Sequence, residues 1–241
     1  MKIFAMLPTY NEAENIEPLI RELLALRDDM SVVVVDDNSP DGTWEIVNRM
    51  AQEEPRVTLV HRTTERGRGS AGTAGFKRAV ELGADYIVEM DADFSHQPKF
   101  IPALLEAAQN ADVVIGSRLV PGGGERGRNW IRTLITSVGN RYAQLVLGVP
   151  VRDCTSGFRV FSRQALETIG LDNLRANGPA IVQEMLAAAK ARGLRFAETP
   201  IMFEERAAGE STFNMKILLR GMLNVWRYRF RKWNESTTKR N

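Results

Sequence analysis

Five short apolar runs, each but the last followed by a segment of helical character, order the first half of this 241-residue chain. KIFAML (2–7) precedes NEAENIEPLIRELLALR, and SVVVVD (31–36) precedes DGTWEIVNRMAQEE. RVTLVH (56–61) precedes a helix starting near Gly69, DYIVEM (85–90) precedes QPKFIPALLEAAQ, and ADVVIGSR (111–118) closes the series. Continuous apolar runs bounded by turn residues describe strands covered on both faces. Their alternation with helices predicts an α/β fold with a mostly parallel sheet flanked by helices. Ligands of such sheets bind beyond the C-terminal ends of the strands. Four polar clusters fall there: Pro8 to Glu12, Asp36 to Asp41, Asp91 to Gln97, and Ser117 with Arg118.

The third of these clusters, in YIVEMDADFSHQP (86–98), places Asp91 and Asp93 directly after a strand. Residues i and i+2 of an extended chain point to the same face, so the two carboxylates look the same way and repel unless a cation lies between them. A hard divalent cation, Mg²⁺ or Mn²⁺, takes one or two carboxylates together with substrate phosphates. The competing reading is local: Asp93 or Ser95 caps the helix that follows Pro98. The position at a central strand end, with two further acidic turns on the same edge, favours the metal. Two histidines and one cysteine argue against a closed zinc site. At the second strand's end, Asp36, Asp37 and Asp41 suit a nucleoside's base or ribose and equally suit an Asx-rich turn feeding a helix.

GRGSAG (67–72) has the G-x-G-x-x-G form of a dinucleotide loop but follows the third strand rather than the first. It reads instead as a helix start whose glycines permit close packing, with Arg66 or Arg68 available to face a phosphate. Arg118, Arg128, Arg132 and Arg206 offer planar forks suited to phosphate. PGGGERGR (121–128) reads as a mobile loop. After it, Ile131, Leu134, Ile135, Val138, Tyr142, Leu145 and Val146 recur at helical spacing as one apolar stripe.

The composition, 44% apolar and 26% charged, is that of a globular protein, and a formal net charge of +2 gives no reason to expect a nucleic-acid partner. Cys154 is the only cysteine, so no internal disulfide forms, in keeping with a reducing cytosol. The apolar run in MKIFAMLPTYNE is too short for a signal peptide and breaks at Pro8. No uncharged apolar stretch approaches the roughly 18 residues of a membrane span, and the expectation is a soluble or peripheral protein. NMKILLRGMLNVWRYRFRKWN, near the C-terminus, has no acidic residue and interleaves Lys and Arg with Trp226, Tyr228, Phe230 and Trp233. It reads as a membrane-surface helix, against the alternative of a last helix packed on the core.

LPTYNEAENI, VVVVDDNSPDGT, MDADFSHQPKFIP, IGSR, TSGFRVFSR and RAAGES together resemble glycosyltransferase family 2, and within it the polyprenol (dolichol) phosphate mannosyltransferases, from Ile3 to about Trp226. The resemblance implies a glycosyltransferase A-type, Rossmann-like single-domain fold over residues 1–212, with a basic amphipathic helix and tail over 213–241. It implies transfer of a hexose, mannose from GDP-mannose foremost, to a polyprenyl phosphate with inversion; UDP-glucose or UDP-N-acetylglucosamine as donor, a non-lipid acceptor, or a silent nucleotide-sugar-binding module are the alternatives.

By motif, Pro8, Tyr10, Glu12, Val35 and Asp37 hold the nucleoside; Asp91, Ala92 and Asp93 meet the donor, with Mg²⁺ or Mn²⁺ on Asp91 and Asp93. Ser95 stands at the position where the family often has a third ligand, sometimes Gln. Arg118, Arg132, Thr136 and Arg206 match positions that bind acceptor or donor phosphates. Where the family reads G-E-S-K, this chain has Thr212, and Lys216 is the nearest substitute. Membrane contact at the cytoplasmic face then rests on the basic C-terminal helix, the lipid acceptor or a membrane-protein partner.

Overall fold

The computed structural model describes residues 1–127, 129–204 and 215–233, with the side chains of 131, 132, 215–220 and 222 outside the description. In chain order the elements are β1 (Ile3–Thr9), α1 (Ala13–Leu26), β2 (Met30–Asp36), α2 (Thr43–Glu53), β3 (Val57–His61), α3 (Arg68–Glu81) and β4 (Tyr86–Glu89). There follow α4 (Ile101–Ala107), β5 (Val113–Ser117), β6 (Gly124–Arg126), α5 (Trp130–Leu147), β7 (Arg159–Ser162) and α6 (Arg163–Ile169). The chain continues through α7 (Ile181–Ala191), β8 (Phe196–Pro200), β9 (Met202–Glu204) and α8 (Met215–Phe230). All five strands expected from the apolar runs are present.

Seven strands form one sheet in the order β3-β2-β1-β4-β7-β5-β8, parallel except for β7, which runs antiparallel to both neighbours. Strand alternation sends Phe4 and Met6 to one face and Ile3, Ala5 and Leu7 to the other, and each set joins a separate buried cluster. The sheet is therefore covered on both sides, which is why β1 and β2 read as unbroken apolar runs. Gly75 lets α3 lie close on the sheet, since a Cβ there would stand 2.5 Å from Met6 Cγ. The parallel register Pro8↔Val35 and Thr9↔Asp36 brings the PTYNE and DDNSPDG turns side by side at one edge.

Two parts of the second half depart from the sequence reading. The segment expected as a mobile loop contains β6, paired in parallel with β9 at Gly124↔Met202 and Arg126↔Glu204. Its partner lies far along the chain, so no local periodicity announces the pairing. The C-terminal helix α8 has both of the characters weighed for it: Val225 and Tyr228 are buried in the core, whereas Leu223, Trp226 and Phe230 are exposed. Arg231, just after it, pairs with the buried Glu184 of α7.

Candidate active site

The edge at the C-terminal ends of β1, β2, β4 and β5 is assembled from tight turns. Asn11, Asn38 and Phe94 are the non-glycine residues with positive φ among those described, at 60°, 56° and 60°, and they sit in the turns after β1, β2 and β4. For Phe94, which has no side-chain amide to favour the left-handed region, that conformation is a local cost held by the surrounding structure.

Two of the three aspartates in the second turn are structural. Asp36 accepts hydrogen bonds from Thr9 Oγ1 (2.8 Å), Ser39 N (2.8 Å) and Ser39 Oγ (2.6 Å). Asp41 accepts from the backbone N–H groups of Ala13 (3.0 Å) and Thr43 (3.1 Å), tying the starts of α1 and α2 together. Asp37 does something else: it pairs with Arg62 at 2.6 Å and takes the Gly67 N–H at 2.8 Å, fixing the loop before α3 against the turn after β2. Glu12, at the start of α1, is nearly buried and accepts from Asn15 Nδ2 at 3.0 Å. Pro8 is half-buried beside these groups, Tyr10 is exposed, and Arg66 lies over the Tyr10 ring at 5.4 Å. Val35 is fully buried in the sheet, so its side chain belongs to the core.

GRGSAG packs as a helix start. The Gly69 N–H donates to Asn177 O at 2.9 Å, and a Cβ on Gly69 would meet Ala176 O at 2.1 Å. The amides of Gly67 and Gly69 are thus engaged by protein groups, in agreement with rejecting a dinucleotide loop there.

Asp91 and Asp93 stand half-buried after β4, with the small, buried Ala92 between them. Neither Asp93 nor Ser95 caps the following helix, whose first turn starts at Gln97 without a side-chain cap. Asp93 Oδ1 instead accepts from Ser95 N (3.0 Å) and Ser95 Oγ (2.5 Å), so the buried Ser95 fixes the orientation of Asp93. His96 is buried as well. Its Nδ1 accepts the Asp91 N–H at 3.0 Å while its ring stacks on Phe158, and burial pulls its pKa below the usual histidine value, which makes it a neutral support for the turn.

Arg68 meets Asp91 Oδ1 at 2.5 Å, and its other terminal nitrogen lies 3.6 Å from Glu89 Oε1. The charge of Asp91 foremost, against burial and with help from Glu89, holds the guanidinium charged. A cation thus already answers the carboxylate that the sequence left unbalanced. Beneath it, Glu89 is bonded to Arg159, with both side chains buried. Among the described residues no group of three or more His, Cys, Asp or Glu side chains is arranged to hold a metal ion. The chemistry of the Asp91 and Asp93 pair is that of hard oxygen donors with further positions left to phosphate oxygens and water, which suits Mg²⁺ or Mn²⁺.

At the end of β5, Arg118 is held by Asp153 through Nε (2.7 Å) and Nη2 (2.7 Å), reaches Thr155 Oγ1 (2.7 Å) and lies 3.3 Å from Glu125. Glu125, on β6, also accepts from Thr133 Oγ1 at 2.9 Å, and Asn140 donates to Thr155 at 3.1 Å. Thr136 falls between Thr133 and Asn140 on the same side of α5. Arg132 lies one turn earlier on that helix, its side chain outside the description, while Arg128, Arg206 and Thr212 lie outside the described residues altogether. Glu89, Asp153 and Arg159 escaped the sequence reading; a charged residue inside an otherwise apolar strand run, as in DYIVEM and RVFS, is the available signal for two of them.

Comparison with known proteins adds to this geometry. The model of "Glycosyl transferase family 2" matches residues 5–170. An undecaprenyl-phosphate mannosyltransferase of Micrococcus luteus is 41% identical over 95% of this chain and 94% of its own. A polyprenol monophosphomannose synthase of Mycolicibacterium smegmatis is 36% identical over 93% of this chain and 85% of its own. A dolichol-phosphate mannosyltransferase of Pyrococcus furiosus is also 36% identical, over 97% of this chain but 64% of its own. Among solved structures, glucosyl-3-phosphoglycerate synthase of Mycobacterium tuberculosis, in complex with Mn²⁺, uridine diphosphate and glucosyl-3-phosphoglycerate, superposes with a TM-score of 0.65 at 22% identity over 94% of this chain and 78% of its own. That likeness is one of fold, the mostly parallel, helix-flanked sheet of the glycosyltransferase A type. From the family match and the extent of these relatives, the chain belongs to glycosyltransferase family 2.

Proposed function

We propose that this protein transfers a hexose, mannose from GDP-mannose, to a polyprenyl phosphate with inversion at the anomeric carbon, at a membrane surface. The observation that carries the reading is the oriented Asp91 and Asp93 pair at the end of β4, on the same edge as the turns after β1 and β2, in a chain similar over nearly its whole length to an undecaprenyl-phosphate mannosyltransferase and a polyprenol monophosphomannose synthase.

In this reading the nucleoside lies against Pro8, Tyr10, Glu12, the backbone at Val35, and Asp37. Asp91 and Asp93 hold Mg²⁺ or Mn²⁺, with Ser95 steadying Asp93 and the small Ala92 between them meeting the donor. The cation supplies charge stabilisation for the departing diphosphate. Arg132, Thr136 and Arg206 take the acceptor phosphate, and Arg118, whose charge Asp153 and Glu125 already answer, orders the wall behind them. An acceptor phosphate oxygen attacks the anomeric carbon as the bond to the diphosphate oxygen breaks, and the nucleoside diphosphate leaves. A phosphate is already an anion, so the step needs no general base.

Seven of the nine large hydrophobic side chains exposed among the described residues lie on two packed helices, including Trp130 and Leu145 on α5 and Trp226 and Phe230 on α8. Neither helix contains an acidic residue. An exposed apolar face on two helices whose charged residues are all basic fits the surface of an anionic bilayer, where the acceptor resides. No described helix is long and apolar enough to cross a membrane.

The test is transfer of labelled sugar into butanol-extractable lipid, with purified protein, polyprenyl phosphate, Mg²⁺ or Mn²⁺, and GDP-mannose beside UDP-glucose and UDP-N-acetylglucosamine. Label from GDP-mannose, lost in Asp93→Ala, is the expected result. Label from a UDP-sugar alone replaces the donor, and no label from any donor removes the reading.

A further inference from the structure

Five charged side chains run in a line from the core to the mouth of the site. Arg159, fully buried on β7, bonds Glu89 of β4; the other Glu89 oxygen faces Arg68; and Arg68 holds Asp91, with Asp93 next along the turn. A divalent cation added at Asp91 would set itself beside Arg68, where like charges repel. Arg68 therefore opposes metal alone and favours metal that arrives with an anion.

The place that Arg68 occupies is built for it. Its backbone is pinned at the start of α3 by Gly67, whose φ is +135°, and by Gly69, packed on Ala176 and Asn177. Its guanidinium passes over Gly157 of TSGFR, where a Cβ would stand 2.5 Å from Nη2. About a quarter of the side chain is exposed (24%), so the fork rests in a slot open to the site rather than locked in the core. Only the side chain has to turn for the fork to leave Asp91.

We infer that Arg68 is a positioning residue that acts as an internal counter-ion: it holds Asp91 in the donor-free protein, yields that carboxylate to the divalent cation, and passes to the donor's diphosphate. Metal and nucleotide binding are thereby coupled, and free metal is kept from filling the site alone. The inference rests on the metal reading given above. No bond is made or broken; one ion pair is exchanged for two.

The test is Mn²⁺ binding, read from the loss of the free-ion signal in electron paramagnetic resonance, with GDP, with UDP and without nucleotide. The proteins are the wild type, Arg68→Leu, Arg68→Lys and Gly157→Ala. Gly157→Ala keeps every charge and displaces only the guanidinium, and thermal unfolding verifies that each variant is folded. Wild type is expected to bind Mn²⁺ weakly alone and more tightly with nucleotide. Arg68→Leu and Gly157→Ala bind Mn²⁺ alone about fivefold or more tighter than wild type, the lower end of coupling between sites, and gain less from nucleotide. Arg68→Lys, which keeps the charge but not the fork, falls between. Equal Mn²⁺ affinity in wild type, Arg68→Leu and Gly157→Ala overturns the counter-ion role alone. Absence of Mn²⁺ binding by every protein, with or without nucleotide, overturns both this role and the metal reading.

Discussion

Arg159 and Glu89 form an ion pair closed off from solvent directly beneath Asp91, joining antiparallel β7 to parallel β4. Arg159 also donates to Val182 O at 3.2 Å, but its Nε has no partner among the described residues. Such a pair is costly to desolvate and more costly to break, because the survivor is left charged and buried. Glu89→Ala is expected to lose about 3–5 kcal/mol of stability in urea unfolding. Replacing both residues by methionine recovers much of that loss, since apolar side chains of similar volume avoid the desolvation cost. A double variant no more stable than Glu89→Ala contradicts this account.

Asp153 supplies a pH dependence of definite sign. Burial pushes its carboxyl up, and the hydrogen bonds and charge of Arg118 outweigh burial and hold it below the ordinary carboxylate value. A depressed folded-state pKa gives stability that is complete above the unfolded value near about 3.9 and is lost as pH falls through the folded one. Asp41 and Asp112 shift in the same direction, but Asp41 is exposed and Asp112 partly so, and solvent screening leaves the larger share to Asp153. Stability carried by these groups is expected to be level from neutral pH to about 5 and to fall below about 4, by up to ~1.4 kcal/mol per pH unit for each proton taken up. Asp153→Asn, less stable at neutral pH, should fall less steeply in acid; chemical denaturation at a series of pH values measures both slopes.

Cys154 is fully buried, its thiol donates to Val151 O at 3.7 Å, and burial raises its pKa to about 12. The thiolate is the reactive form, so the native protein is expected to resist a disulfide reagent at pH 8 and to react fully once unfolded. Rapid labelling of folded protein would require an opening of the 151–155 segment that the buried packing does not provide.

On α5 and α8, Trp130 and Phe230 are 73% and 70% exposed, so neither contributes much to the core. Trp130→Ser with Phe230→Ser should leave thermal stability nearly unchanged while weakening sedimentation with anionic vesicles. Loss of about 1.5 kcal/mol or more per inserted side chain corresponds to roughly tenfold in affinity for each. Unchanged vesicle binding removes this face as the membrane contact.

The first half of the fold was legible in sequence because parallel strands covered on both faces must be apolar at nearly every position. β1, β2, β4 and β5 announce themselves for that reason, β3 at the sheet's edge by its β-branched residues, and the edge at which the polar turns gather follows from strand direction alone. Asp91 and Asp93 could be picked out by the same logic, from their position after DYIVEM. β7 and β8 are less visible: β7 carries Arg159 inward, and β8 is only partly buried along its length.

What only the tertiary structure decided is which charge answers which. Asp36, Asp37 and Asp41 are alike in sequence, yet two of them organise turns and helix starts while Asp37 ties Arg62 and the Gly67 amide to the site. Arg118 and Arg68 both looked free to meet phosphate; one is clamped by Asp153, the other sits on Asp91. Periodicity reports how a residue meets water, because burial repeats with the local backbone. An ion pair between Arg159 and Glu89, or between Arg68 and Asp91, joins residues on different elements, and only the packed sheet brings them within reach.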